Sequence, residues 1–280
     1  MSIDIFLQQF DQLAQSNGGV KKLRGMILQL AMQGKLVEQN PADEPAEVLL
    51  KKIEAEKKRL VKDGEIKKQR GNSISQHQDV PYTLPRNWKW VELTEVTTMI
   101  TDGSHNPPPK QPVGIPMLSG QNIKKGLINF EASRLITEED YIQEIRRTPI
   151  QQGDVFLSIV GTIGESAVVP DGFPRVALQR SIALIRTLIN PFFLSKVFSS
   201  PMAFSYYDKH AKGTAQKGIY LGKLSEFLVP LPPLAEQKRI VAKVDELMTL
   251  CDQLEAHITH TQTLNTHLMN SLIHRMTEAA

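Results

Sequence analysis

The stretch that most constrains this chain is its last fifth. Ile240, Val244, Leu247, Cys251, Leu254, Ile258 and Thr261 follow one another at alternating steps of four and three residues. That alternation is a heptad seam, which keeps one apolar stripe on one side of a helix. Leu264, Leu268 and Leu272 continue the stripe with a slip in phase. The spacing predicts one helix over about 235–276, roughly 60 Å long at ~1.5 Å per residue. A single amphipathic helix of that length cannot bury its stripe by itself. It needs a partner helix, from this chain or another, which makes 234–278 a spacer or dimerisation coiled coil. The alternative is a helix lying on its own globular domain.

The rest of the chain has to be compatible with that helix. Ile3, Phe6, Leu7, Phe10 and Leu13 recur at helical spacing until Asn17-Gly18-Gly19 stops them. Val20, Leu23, Ile27, Leu30 and Ala31 define a second helix that ends near Gly34. Pro45 suits the first turn of a third, which runs through Val48, Leu49 and Ile53 to Leu60 and is charged enough to be a surface helix. Residues 62–80 are polar, with Gly64, Gly71 and Asn72, and read as a linker. Short apolar runs then replace the helical pattern at 90–93, 115–118, 155–160, 167–169, 182–186 and 227–231. Gly, Pro and Asp punctuate them, as expected of strands. A helix is expected over 192–207, interrupted or kinked at Ser200-Pro201. The fold class is α+β, with a helical region at 1–70, a linker at 71–83, a mixed domain at 84–233 and the long helix at 234–278.

Several function classes are excluded early. The one cysteine, Cys251, rules out an internal disulfide and a cysteine-rich zinc site, and fits a reducing compartment. No apolar run approaches the ~20 residues of a membrane span. No basic-then-apolar leader begins the chain. A cytoplasmic protein that does not engage membranes is expected. The seven histidines show no metal-ligand spacing; His257 with His260, and His267 with His274, fit a solvated helix face better. No metal site and no catalytic residue is assigned. His105-Asn106-Pro107-Pro108-Pro109 superficially suggests the Asn-Pro-Pro-aromatic loop of DNA amino-methyltransferases. Pro109 stands where the stacking aromatic belongs, and no glycine-rich strand-to-helix turn for S-adenosylmethionine precedes it. Gly161-Thr162-Ile163-Gly164-Glu165-Ser166 lacks the Lys-Ser/Thr of a phosphate loop and reads as a strand-to-strand turn.

The formal charge of +3 decides little, because nucleic-acid binders need basic groups in one place rather than many of them. Their position is more informative. Lys124-Lys125, Arg146-Arg147, Arg175, Arg180, Lys209, Lys212, Lys217 and Lys223 all fall in the mixed domain, many beside Gly126, Gly172, Gly213, Gly218 or Gly222. Basic loops of that kind contact phosphates and base edges, and they also serve as ordinary surface charge.

Two stretches favour the first reading. The mixed domain opens with Leu84-Pro85-Arg86-Asn87-Trp88-Lys89-Trp90-Val91-Glu92-Leu93, then Thr101-Asp102-Gly103-Ser104-His105. It closes with Gly213-Thr214-Ala215-Gln216, Ile219, Leu224 and Val229-Pro230-Leu231-Pro232-Pro233-Leu234-Ala235-Glu236-Gln237, directly before the long helix. Together with Leu178-Gln179-Arg180, these closely resemble the target-recognition domain of type I restriction-modification specificity subunits, over about residues 80–260. Pro230, Pro232 and Pro233 resist both sheet and helix and suggest a stiff hinge.

The resemblance implies a non-catalytic subunit that reads double-stranded DNA. It also implies methyltransferase subunits carrying S-adenosylmethionine, a motor-nuclease restriction subunit, and no cofactor in this chain. Family members use two recognition domains for two half-sites, and this chain has one. Pairing of two copies through antiparallel long helices, truncation, or assembly with a different half-subunit would each account for that. The seam residues Ile240, Val244, Leu247, Cys251, Leu254 and Ile258 are candidates for the pairing surface. Thr101, Asp102, Ser104, His105, Gln121, Lys124, Lys125, Arg180, Lys212, Lys217 and Lys223 are candidates to face DNA. The competing classes are a coiled-coil adaptor without sequence reading and a methyltransferase using 106–108.

Overall fold

A computed structural model describes residues 18–66, 80–213 and 217–278. The expected first helix at 3–13, most of the expected linker and residues 214–216 of the closing motif lie outside the described residues. Helix α1 spans Gly19–Met32 and α2 spans Ala46–Lys62, with Pro45 at its N-cap. The mixed domain opens with β1 (Lys89–Glu92), a 3-10 turn (Leu93–Val96) and β2 (Thr97–Asp102). Next come β3 (Ile115–Leu118), the hairpin of β4 (Ile123–Lys124) and β5 (Leu127–Ile128), and β6 (Arg134–Ile136). Helix α3 (Glu138–Glu144) leads to β7 (Val155–Ser158), β8 (Ser166–Val168), β9 (Ala177–Leu178) and β10 (Ile182–Thr187). The helices α4 (Pro191–Phe198), α5 (Pro201–His210) and α6 (Leu221–Ser225) precede β11 (Leu228–Leu231) and the long α7 (Leu234–Glu278). The chain divides into two units: Leu28–Val241, and the flanking segments through Ile27 and from Ala242.

Within Leu28–Val241, a four-stranded antiparallel sheet in the order β2-β10-β7-β8 lies beside a three-stranded sheet, β6-β3-β9, whose β3–β9 pair is parallel. Phe156, Ile182 and Leu184 of the first share one apolar core with Leu118 and Leu178 of the second. Helix α4 packs on β7 and β8 and buries Phe193, Leu194, Val197 and Phe198. Ser200 ends the expected 192–207 helix and caps the next one: its hydroxyl accepts from the Ala203 N–H at 3.3 Å, with Pro201 in the first turn. Helix α2 keeps its charges outward yet buries Ala46, Leu49 and Ile53, so it is only partly a surface helix.

Several local readings change; β4, β5, β6, β9, α3 and α6 are further elements not expected from the sequence. β2 falls where no strand is expected, because its Thr-rich sequence lacks an apolar run; β10 pairs along its whole length. The strand expected over 155–160 stops at Ser158, since the Ile159 N–H donates to the Ser181 carbonyl and Val160 bridges to Gly218. Pro230 sits inside β11, opposite Trp90, rather than outside the sheet. A two-stranded sheet has only edge strands, where a missing N–H is tolerated.

The pair β1–β11 brings the start and finish of the mixed domain together, and the first turn of α7 locks them there. The Trp88 indole N–H donates to Glu236 Oε2 at 3.0 Å, and Gln39 Nε2 donates to Oε1. The Gln237 amide oxygen accepts from the Asn190 N–H at 3.0 Å, while its Nε2 donates to the Pro232 carbonyl at 2.9 Å. Arg239 pairs with Asp43. In the other unit, α1 lies along α7: Arg24 Nη2 bonds Asp252 at 2.7 Å and Glu255 at 3.0 Å. Val244 and Cys251 are buried and Leu247, Leu254 and Ile258 half-buried, whereas Leu264, Leu268, Leu272 and Ile273 are each at least 50% exposed. The partner for the first half of this stripe therefore comes from the same chain.

Burial raises the Glu236 carboxyl above the ordinary carboxylate value, against the opposing hydrogen bonds from Trp88 and Gln39. A raised folded value means that this group's stability contribution is complete below the unfolded value and is lost as pH rises through the folded one. The stability of the wild type relative to Glu236→Gln, measured by denaturant unfolding, is therefore expected to fall from pH 4 towards pH 7. A difference that rises with pH would refute the assignment.

Candidate nucleic-acid interface

Four strands of Leu28–Val241 end near one another, and the loops that leave them lie side by side. β2 ends at Asp102, and its loop docks through Ser104 N–H to the Leu178 carbonyl at 2.8 Å. The Arg180 N–H answers to the Ser104 carbonyl at 2.9 Å, and the Gln179 N–H to the Leu118 carbonyl at 2.8 Å. The Gly120 N–H, beyond β3, donates to Ser181 Oγ at 2.9 Å. The turn after β7 follows, with the Gly161 N–H on the Lys217 carbonyl at 3.1 Å and the Lys212–Gly218 pair closing the next loop. The Lys125 N–H ties the β4–β5 hairpin to Glu165 at 2.8 Å. Close approach requires glycine at two crossings. A Cβ on Gly103 would stand 2.1 Å from the Leu178 carbonyl oxygen, and one on Gly120 would stand 2.6 Å from Ser158 Oγ.

The candidate residues divide into supports and presented groups. Asp102 and Ser104 are buried, at 6% and 7% exposure. Asp102 Oδ2 takes the His105 imidazole at 2.8 Å and Oδ1 takes Arg147 Nη2; Arg147 Nε also donates to the Asp102 carbonyl at 3.0 Å. The Ser104 hydroxyl donates to Glu144 at 2.8 Å. Thr101 is half-buried in β2 opposite Leu184. His105, Gln121, Lys124, Lys125, Arg180, Lys212 and Lys217 are exposed along the loop series. Among the described residues, Lys124, Lys125, Arg180, Lys212 and Lys217 have no carboxylate partner within ion-pair distance.

Lys223 is not brought to this edge by any of these contacts. It sits on α6, which packs against β2 and the 3-10 turn, and its ammonium pairs with Glu226 at 2.7 Å. His210, packed tilted against Tyr206 with ring centroids 4.3 Å apart, is pushed below the ordinary imidazole value by burial, then by Lys223 and Lys209, which disfavours its charged form. The Asn106–Pro109 stretch is braced through the Pro108 carbonyl, which accepts from Arg134 Nη1 at 2.7 Å.

Two functional candidates escaped the sequence-based selection, Arg147 and Glu144. The dipeptide Arg146-Arg147 announces a basic site, but only the geometry after α3 decides that Arg147 turns onto Asp102. The series as a whole offers unpaired cations, amide and imidazole groups on loops held by backbone bonds. Its carboxylates Asp102, Glu144 and Glu165 are each engaged by a protein donor. Such a surface suits a polyanion whose edges carry hydrogen-bonding groups.

Residues 85–261 match the family model described as the type I restriction modification DNA specificity domain. The chain is 31% identical, over 95% of its length, to the type I restriction enzyme EcoAI specificity subunit of Escherichia coli, and covers 46% of that protein. It is 32% identical over 93% of its length to the EcoEI specificity subunit, also of Escherichia coli, covering 44% of it. The chain thus spans about half the length of these curated relatives. A solved structure, described as bearing on complex assembly and conformational transition of the type I R-M system, has a chain that superposes with a TM-score of 0.50. It is 19% identical, over 89% of this chain and 54% of its own, and shares the fold.

The crossing at Gly103 is testable directly. Gly103→Ala forces backbone apart at Leu178 and is expected to destabilise the protein by about 1–3 kcal/mol, read as a lower denaturation midpoint with unchanged m-value. An unaltered midpoint would mean that the 103–105 loop does not dock against Leu178.

Proposed function

This chain belongs to the type I restriction-modification DNA specificity family, and from that premise we propose that it reads one half-site of an interrupted sequence in duplex DNA. The observation that carries the reading is the loop series bearing Lys124, Lys125, Arg180, Lys212 and Lys217, without carboxylate partners among the described residues, next to the exposed amide of Gln121 and the imidazole of His105. Cations on such loops meet phosphates and fix register; amide and imidazole groups reach base edges in the major groove. The chain itself performs no chemistry. Methyltransferase subunits, with their S-adenosylmethionine, dock on it and modify the site it selects, and a motor-nuclease restriction subunit joins the larger complex.

The second part of the proposal concerns assembly. The stripe of α7 beyond Ile258 leaves Leu264, Leu268, Leu272 and Ile273 exposed. A second copy pairing antiparallel through this stripe covers it and supplies a second reader for an inverted half-site. The 45 residues of α7 extend roughly 68 Å at ~1.5 Å per residue. In such a pair this length sets the separation of the half-sites.

Two measurements address these parts separately. Removing one cation that neutralises a phosphate reduces the slope of log K against log salt by about 0.9. Lys124→Ala with Lys125→Ala is therefore expected to weaken binding to all duplexes alike and to lower the slope by about 2; affinity and slope both unchanged would remove the hairpin from the interface. Sedimentation equilibrium is expected to find a dimer for the wild type and a monomer for Leu268→Asp with Leu272→Asp, and a monomeric wild type at tens of micromolar would eliminate the homodimer.

A further inference from the structure

The geometry points to Arg147 as a specificity-determining residue that reads a guanine through its O6 and N7 edge, with buried Asp102 as its positioning residue. The inference rests on the DNA-reading proposal above and deepens it. Arg147 meets one residue twice: its Nε donates to the Asp102 carbonyl at 3.0 Å, and its Nη2 donates to the Asp102 carboxylate. Two bonds from one planar guanidinium to one residue fix the plane of the group. They use Nε and one hydrogen of Nη2. The second Nη2 hydrogen and both hydrogens of Nη1 remain, and Nη1 has no partner among the described residues. The side chain stays 50% exposed while the Asp102 side chain is 9% exposed, so the anchor is inside and the free end of the fork meets solvent.

That arrangement favours base reading over phosphate contact. A guanidinium fork pairs bidentately with a phosphate too, but there the cation's charge supplies much of the attraction. The Asp102 carboxylate also offsets the charge of Arg147, which weakens long-range attraction to a backbone while leaving the hydrogen-bond donors intact. A guanine edge offers two acceptors side by side, and a guanidinium end held in one plane matches them with little conformational entropy left to lose. Asp102 serves His105 in the same way. A carboxylate can only accept, so Nε2 carries the hydrogen in the 2.8 Å bond, and Nδ1 is the ring's remaining polar atom. One buried anion thus presents two side chains from separate segments, the loop after β2 and the loop after α3.

The test uses the full chain. Selection from a random duplex library defines the wild-type motif, and each guanine in it is then replaced by 7-deazaguanine, which lacks the N7 acceptor. One guanine is expected to cost the wild type roughly 5- to 150-fold in affinity on replacement. Arg147→Ala should lose that sensitivity at that guanine alone, and selection with it should return a motif degenerate there and unchanged elsewhere; Arg147→Lys should reduce it there without weakening the other positions. Lysine keeps the charge, so the lysine variant separates the fork from the cation. Asp102→Asn should lose discrimination at the same base, which a purely structural role would not single out. If both Arg147 variants weaken every duplex equally and keep every 7-deazaguanine effect, Arg147 contacts phosphate and the inference fails while the DNA-reading proposal stands. If the wild type enriches no motif, that proposal falls, and this one falls with it.

Discussion

The structure of Leu28–Val241 depends on a buried polar junction at the first turn of the long helix. Glu236 accepts from Trp88 and Gln39, and Gln237 bonds both Asn190 and Pro232. Each partner comes from a different stretch: the segment after α1, the residue leading into β1, the cap of α4 and the proline run that closes the domain. A buried polar group is costly unless it is satisfied, so these side chains tolerate only one arrangement of the four stretches. Gly34 is pressed into the same place; a Cβ there would stand 2.5 Å from the Pro85 ring. This gives the two motifs that bracket the domain a common physical reason. The opening Trp88 and the closing Glu236 are partners in one hydrogen bond, 148 residues apart.

With its ends joined through β1 and β11, the domain presents the loop series at the ends of other strands. The loops after β2, β3, β7 and β9 hold one another largely by backbone bonds, with a few buried or paired side chains adding to them. Asp102, Ser104 and Glu165 spend their polar groups on neighbouring loops, which leaves the lysines and arginines on the outside with few internal anions to satisfy them. Rigid backbone with exposed polar side chains suits a reader whose preferences can change by substitution without disturbing its core.

The long helix follows a different logic. Its apolar stripe is covered from within the chain as far as α1 reaches, through Arg24 and the residues around Cys251. Beyond that point the same kind of stripe is exposed. In water a helix of this composition gains its stability from packing rather than from propensity, which is the physical ground for the pairing proposed above.

Much of this was legible in the residues. The four-three spacing gave the long helix, Ser200-Pro201 gave the break between α4 and α5, and Gly34 gave the end of α1, because each depends on local backbone preference or on the period of one element. β2 was not legible, since Thr-rich strands lack an apolar run and this one is defined by its pairing with β10. The parallel β3–β9 pair, the tie between Trp88 and Glu236, and the fork of Arg147 on Asp102 join residues far apart in the chain, and no local pattern encodes which distant group will arrive. The sequence by itself determined the helices at both ends of the described chain, the break at Ser200-Pro201, most of the longer strands and the stock of basic loop residues. Only the tertiary structure decided which of those residues are supports and which are presented, because that depends on which carboxylates the fold buries beside them.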